Sequence, residues 1–383
     1  MSDLLLGGLT PDRFMAEHWQ KRPLFVAGAV PEAPHVIDAE TLLDLATHPD
    51  AQSRRIRQTA GSWTFDQGPF RPRQLSGRGP WTVLVQGINL FLPEADALLR
   101  RFGFVPFARL DDLMASYATT GGGVGPHVDS YDVFLIQAAG TRRWEISGQV
   151  DRSLIPGLPL RILADFRPEQ TFDCQPGDLL YLPPGYAHHG VALDEPCITL
   201  SVGFRAPALA ELQQAFLVWL AEHRAEDGAT VSQPPALYSD PDQPATVTPA
   251  QLPPAMCEQV GAALTAIRWG AEEVRDFLGE TLSDPKPHVY FEPPVPALSR
   301  AGFVRALKTS GVALDLQTQM LYADGRVWCN GQLLAETAEP ALRLLADRRW
   351  LRADDALTDP VIDDLYAMYM RGHLHPAIAA KRP

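Results

Sequence analysis

Residues 121–137 read GGGVGPHVDSYDVFLIQ, a glycine-rich loop entering an apolar stretch, with His127 and Asp129 two positions apart. Alternate residues of a strand face the same way, so one imidazole and one carboxylate here can grip a single metal ion. Around this segment lie WTVLVQGI (81–88), RRWEIS (142–147), DLLYLPPG (178–185), HHGVAL (188–193) and CITLSVGF (197–204). These short β-branched and aromatic runs, punctuated by Gly and Pro, predict an all-β sandwich or barrel over about residues 63–204.

Outward from the barrel the pattern turns helical. Thr10-Pro11-Asp12 reads as an N-cap with proline in the first turn, opening an amphipathic helix through Phe14 and Trp19. After residue 206, Leu209, Leu212, Phe216 and Leu220 follow helical spacing, and residues 256–269 and 271–280 do so again. Between them, residues 229–254 hold seven prolines and predict a loop. The apolar stripe of this block suits self-association. Past the proline-rich stretch 283–296 come a helix at 298–309, strand-like runs at 312–322 and 326–334, and two further helices, the pattern of a winged helix. Over residues 287–383 there are 11 Lys+Arg against 11 Asp+Glu, a balance that argues against direct DNA binding.

The whole chain of 383 residues carries a net charge of −13, so it suits a basic partner rather than a phosphate backbone. No apolar run has the length of a membrane span, and the first ten residues lack a cationic leader. The 4 cysteines form no CxxC pair, in keeping with a reducing cytoplasm. A Walker loop, a GxSxG elbow and HExxH are all lacking. The glycines at 121–125 precede a strand rather than opening a helix, so they suit close backbone approach more than phosphate binding.

His127 and Asp129 need a third ligand from another strand to complete a 2-His-1-carboxylate triad, which leaves open positions on one side of Fe(II). His188 and His189 begin the strand after the Pro183-Pro184-Gly185 turn. Neighbouring strand residues point oppositely, so one of the two can look inward. The pair His48 and Asp50 repeats the spacing, but Pro49 and a loop-like setting mark it as surface. Arg142, on the return strand, cannot shed its charge and demands an anion. A small dicarboxylate held at the metal by one end would satisfy it, for about 1.5–3 kcal/mol. Tyr131 and Asp132 are candidates for positioning a cationic substrate. Thr199 and Ser201 are candidates for supporting the ligands, and Tyr117 for contacting the dicarboxylate.

These residues resemble the JmjC-type ribosomal oxygenases, and within them the bacterial branch that hydroxylates an arginine of a large-subunit ribosomal protein. The resemblance runs through Trp19-Gln20-Lys21-Arg22-Pro23-Leu24, GGGVGPH with Asp129, Tyr131-Asp132-Val133-Phe134, and Arg143-Trp144. It continues through PGD, YLPPG, His188, Gly190, residues 201–207 and Tyr238-Ser239-Asp240-Pro241-Asp242. It implies Fe(II) held by His127, Asp129 and His188, with 2-oxoglutarate on Arg142 and O2 as co-substrate. His189 stands where similar sequences are commonly acidic. The implied fold is mainly β with α additions: a double-stranded β-helix (cupin/JmjC) domain over 1–206, a helical dimerisation region over 207–286 and a winged helix over 287–383. The expected partners are a basic ribosomal protein as substrate and a second copy of the chain, in the cytoplasm. Two other readings compete: a cupin isomerase or hydrolase acting on a small carboxylate, and a non-enzymatic adaptor on the ribosome.

Overall fold

The structure is a computed structural model and describes residues 4–59, 62–229, 237–337, 339–355 and 357–377. Residues 230–236 of the expected proline-rich loop lie outside these. The chain packs as two compact units: Met1–Ala206 with Pro285–Gln319 and Pro340–Pro383, and Pro207–Asp284 with Met320–Glu339. The segment read as a winged helix thus contributes to both.

The first unit begins with α1 (Pro11–Glu17), where Thr10 accepts from the Arg13 N–H and Pro11 takes the first turn. There follow β1 (Leu24–Val26), α2 (Ala39–Leu45), β2 (Ser53–Thr59), β3 (Ser62–Gln67), β4 (Trp81–Val85), α3 (Pro93–Arg100) and β5 (Leu110–Ala118). Next come β6 (His127–Val128), β7 (Val133–Ala139), β8 (Arg142–Ser147), β9 (Gln170–Cys174), β10 (Leu179–Leu182), β11 (Ala187–Ala192) and β12 (Cys197–Phe204). Eight strands form one antiparallel sheet in the order β1-β10-β7-β12-β5-β4-β2-β3, and four form a second in the order β6-β11-β8-β9. This is the expected two-sheet β-helix, built from β5 to β12 and extended in the large sheet by β1 at one edge and by β4, β2 and β3 at the other.

Strand alternation divides the large sheet into two chemically distinct faces. Val83, Val85, Leu113, Ala115, Tyr117, Phe134, Ile136, Tyr181, Leu200 and Val202 join Phe14, Leu42 and Leu98 in the main core, against the helices. On the other face Val133, Leu135, Leu180 and Leu182 pack with Trp144 and Ile146 of the small sheet. The inner residues of β5 and β12 are polar or adaptable instead: Asp112, Met114 and Ser116, and Thr199 and Ser201, line a cavity. Burial at 25 cal/mol per Å² holds the outer face. It also frees the inner face for chemistry.

Within the first unit the C-terminal part comprises α7 (Arg300–Ser310), β13 (Val312–Leu314), α8 (Pro340–Arg348), β17 (Trp350–Leu351), α9 (Asp359–Met370) and β18 (Leu374–Pro376), with β17-β13-β18 as a small sheet. Arg349 anchors it, donating to the carbonyls of Thr318 and Asp315 and pairing with Asp96 of α3 at 3.2 Å. The second unit holds α4 (Leu209–Ala229), α5 (Pro254–Thr265), α6 (Ala271–Ser283) and the strands β14 (Met320–Ala323), β15 (Arg326–Cys329) and β16 (Gln332–Ala335). Phe216, Leu220 and Phe277 form its helical core.

Candidate active site

His127 opens β6, and its antiparallel partner across the small sheet is His188 of β11. Register alone therefore sets the two imidazoles side by side, with ring centroids 4.2 Å apart. Asp129 follows two residues after His127. Its carboxylate lies 3.9 Å from His127 Nε2 and 3.6 Å from His188 Nε2. Among the described residues this is the one group of three or more His, Cys, Asp or Glu with mutually close ligand atoms, all within 4.8 Å.

The supporting contacts fix each donor. His127 Nδ1 bonds the Gly125 carbonyl at 2.9 Å and His188 Nδ1 bonds the Tyr186 carbonyl at 3.1 Å. A carbonyl can only accept, so both Nδ1 atoms carry the proton and both Nε2 lone pairs face Asp129. Burial, then the neighbouring His127, pushes the His188 pKa down to about 3 and keeps that lone pair free. Burial raises the Asp129 pKa, against the opposing pull of His127, Arg54 and the Tyr131 hydroxyl. Two imidazole nitrogens and a carboxylate oxygen converging in this way fit a divalent metal.

The glycine loop makes this geometry possible. A Cβ on Gly123 would sit 2.4 Å from the Gly190 carbonyl oxygen, so the loop lies directly on β11. On the other side, the Gly185 N–H donates to the Asp129 carbonyl at 2.9 Å and ties the Pro-Pro-Gly turn to the ligand loop.

The cavity of about 500 Å³ opens between the two sheets and contains all three groups together with Arg142, Tyr131, Thr199 and Ser201. Arg142 starts β8, is only 3% exposed, and has no hydrogen-bond partner at Nε or Nη2. Its guanidinium lies 5.6 Å from the Trp144 ring centroid. A buried cation with two donor nitrogens unpaired at a cavity wall fits an anion. Arg143, one residue on, faces outward and pairs with Asp173 at 2.7 Å.

His188 faces inward, while His189 faces out, 3.5 Å from Glu145. Thr199 donates to Gln137 Oε1 at 2.8 Å while lining the cavity. Two expected positions point elsewhere. Tyr117 lies on the outer face of β5, in the main core, and its hydroxyl donates to Glu195 at 2.8 Å; alternation gives the cavity Ser116 instead. Asp132 is fully buried away from the cavity, accepting from Tyr181 at 2.7 Å and Gln20 at 3.0 Å. It does not line the cavity and is held inside the fold by these bonds.

The cavity also holds residues that the sequence reading passed over: Arg54 and Ile56 of β2, Gln86, and the adjacent carboxylates Asp111 and Asp112 of β5. The alternation of Asp112, Met114 and Ser116 was the signal available for β5. Strand β2, with three arginines in seven residues, offers little apolar pattern.

Comparison with known proteins agrees with this architecture. The chain matches a JmjC domain family model over residues 97–212 and a ROXA-like winged-helix model over residues 266–375. It is 34% identical over 355 residues to the ribosomal protein uL16 3-hydroxylase of Escherichia coli K12, spanning 91% of this chain and 92% of that protein. A probable ribosomal oxygenase of Haemophilus influenzae is 37% identical over 210 residues, covering 53% of this chain and 52% of its own. The solved structure of the Escherichia coli ribosomal oxygenase YcfD with cobalt and 2-oxoglutarate superposes with a TM-score of 0.78 at 32% identity, over 96% of this chain and 98% of that one. Identity at this level, held along almost the full length of both chains, reflects common descent, and the chain belongs to the JmjC-type ribosomal oxygenases.

Proposed function

We propose that the protein is an Fe(II)- and 2-oxoglutarate-dependent oxygenase that hydroxylates an arginine side chain of a basic large-subunit ribosomal protein. The observation that carries this reading is the pairing, in one cavity, of three converging metal donors with a buried arginine that has two donor nitrogens without a hydrogen-bond partner. His127, Asp129 and His188 would hold the iron, and Arg142 the distal carboxylate of 2-oxoglutarate. When bound, iron, 2-oxoglutarate and O2 together supply an oxidant for an unactivated C–H bond, leaving succinate and carbon dioxide.

The protein's own contribution is placement. The Nδ1–H bonds of His127 and His188 fix ring orientation and tautomer. Thr199, fixed by Gln137, lines the wall beside these groups. On the substrate side, Asp112 is 2% exposed, lines the cavity and faces it with a carboxylate, and Tyr131 adds an aromatic edge. That combination favours a cationic guest with an apolar stem.

The helical region is proposed as a dimer contact, supported by Leu217 and Val218 of α4, which remain 54% and 53% exposed. The charge balance of residues 287–383 speaks against direct DNA binding. Among the described residues no helix is long and apolar enough to cross a membrane, and we place the protein with its substrate in the cytoplasm. The test supplies purified protein with Fe(II), 2-oxoglutarate and air to ribosomal proteins. Succinate release stimulated by one large-subunit protein, with one oxygen mapped to an arginine, is expected. Metal-dependent turnover needing neither oxygen nor 2-oxoglutarate would favour the cupin isomerase or hydrolase.

A further inference from the structure

At the head of β5 two adjacent carboxylates meet an ammonium from a distant part of the chain. Lys286 Nζ lies 3.2 Å from Asp111 Oδ1 and 2.5 Å from Asp112 Oδ2. Gln86 Nε2 donates to both oxygens of Asp112, at 2.8 and 2.9 Å. Asp111, Asp112 and Gln86 line the active-site cavity, and Lys286 reaches them from behind with its side chain 27% exposed. Pro285 and Pro287 flank the lysine. Proline after a residue holds that residue extended, so the Pro-Lys-Pro run delivers the amine on a stiff stretch of backbone.

The arrangement leaves Asp112 partly occupied. Its Oδ2 already accepts from Gln86 and Lys286, which fills both lone pairs, and its Oδ1 accepts from Gln86 alone. A guanidinium entering the cavity therefore finds a single free lone pair on Asp112 unless the ammonium withdraws. Lysine is a compact charge on a flexible stem, whereas a guanidinium presents a fork matched to a carboxylate. Exchange of Lys286 for a substrate lysine replaces like with like. Exchange for a substrate arginine gains a second parallel hydrogen bond.

We propose that Lys286 is a resident cation that occupies the Asp111/Asp112 pair until a substrate side chain displaces it, and that arginine, with its fork, displaces it more readily than lysine. The inference rests on the arginine reading above, and the two are read out separately. Wild-type protein first maps the modified arginine by mass spectrometry; no oxygen on any arginine would sink that reading itself. A synthetic peptide carrying the mapped arginine is then compared with its lysine counterpart on wild type, Lys286→Met and Lys286→Arg.

Removing the competing charge should lower the KM of the arginine peptide about tenfold in Lys286→Met and tighten the lysine peptide by a similar factor, since both displace the same ammonium. Lys286→Arg should not show the drop. A KM that is unchanged or raised in Lys286→Met, in protein with wild-type 2-oxoglutarate affinity and melting temperature, overturns the proposal. An independent measurement needs no variant: saturating arginine peptide should speed labelling of Lys286 by an amine-reactive reagent, read by peptide mapping. Labelling that is slowed or unaffected contradicts displacement.

Discussion

Replacing Arg142 with methionine should weaken 2-oxoglutarate binding while making the metal-free protein more stable. In wild type, Nε and Nη2 are buried without partners, so the folded chain bears the cost of a desolvated guanidinium that only an anion offsets. Two charge-assisted hydrogen bonds to a carboxylate contribute about 1.5–3 kcal/mol each. Allowing for non-additivity, losing both should cost about 3–5 kcal/mol, or roughly two to three and a half decades of affinity. Methionine fills much of the same volume against Trp144 with no charge to desolvate, so the apo protein should gain about 1–2 kcal/mol. Arg142→Lys keeps the charge but loses the fork, for a drop of about tenfold. The assay is calorimetric titration of 2-oxoglutarate into Mn(II)-loaded protein, alongside thermal melting of apo protein. Binding within threefold of wild type, combined with a lower apo melting temperature, would show that Arg142 is a packing residue and refute the argument.

Three further outcomes are expected. His188 is neutral in the fold with a pKa near 3, below its ordinary 6.5, so its contribution to stability is complete above about pH 6.5 and is lost as pH falls towards 3. The shift corresponds to at most roughly 5 kcal/mol, and urea titrations of metal-free His188→Leu should lack that acid slope; a slope equal to wild type would contradict it. Asp112→Asn should raise the KM for the ribosomal substrate about tenfold or more and leave 2-oxoglutarate affinity near wild type, since Asp112 faces the substrate side; equal effects on both would remove the distinction. Leu217→Asp, placed on the exposed apolar face of α4, should shift the protein from dimer to monomer in light scattering, and an unchanged mass would exclude that face.

How legible the molecule was in its sequence depended on whether a residue's role followed from local pattern. The apolar runs that became β4, β7, β10 and β12 read as continuous hydrophobic stretches because both faces of these strands are buried, whereas β8 alternates with Arg143 facing outward. Thr10 and Pro11 mark the start of α1 through local capping chemistry. Strand β2 was hidden because SRRIRQT carries Arg54 and Ile56 towards the cavity and Arg55 and Arg57 away from it, a segment recruited by pairing with β3 and β4 rather than by its own pattern. Tyr117 differs from the expectation by one position: alternation sends it to the core and gives the cavity Ser116. Asp132 points away from the face shared by His127, Asp129 and Tyr131, as alternation gives, and what local pattern could not supply is its distant partners, Tyr181 and Gln20. Lys286 could not be placed from sequence at all, because its partners lie about 170 residues away; the Lys286 to Asp112 contact spans 174 positions.

The most direct test of the account compares ribosomal proteins from cells that contain wild-type protein, the Asp129→Ala variant, or neither. Mass spectrometry should find one added oxygen on a single arginine of a large-subunit protein in wild-type cells alone, because Asp129 is the carboxylate on which the two imidazoles converge. The same oxygen present in Asp129→Ala cells, or absent from all three, would contradict an iron-dependent arginine hydroxylase.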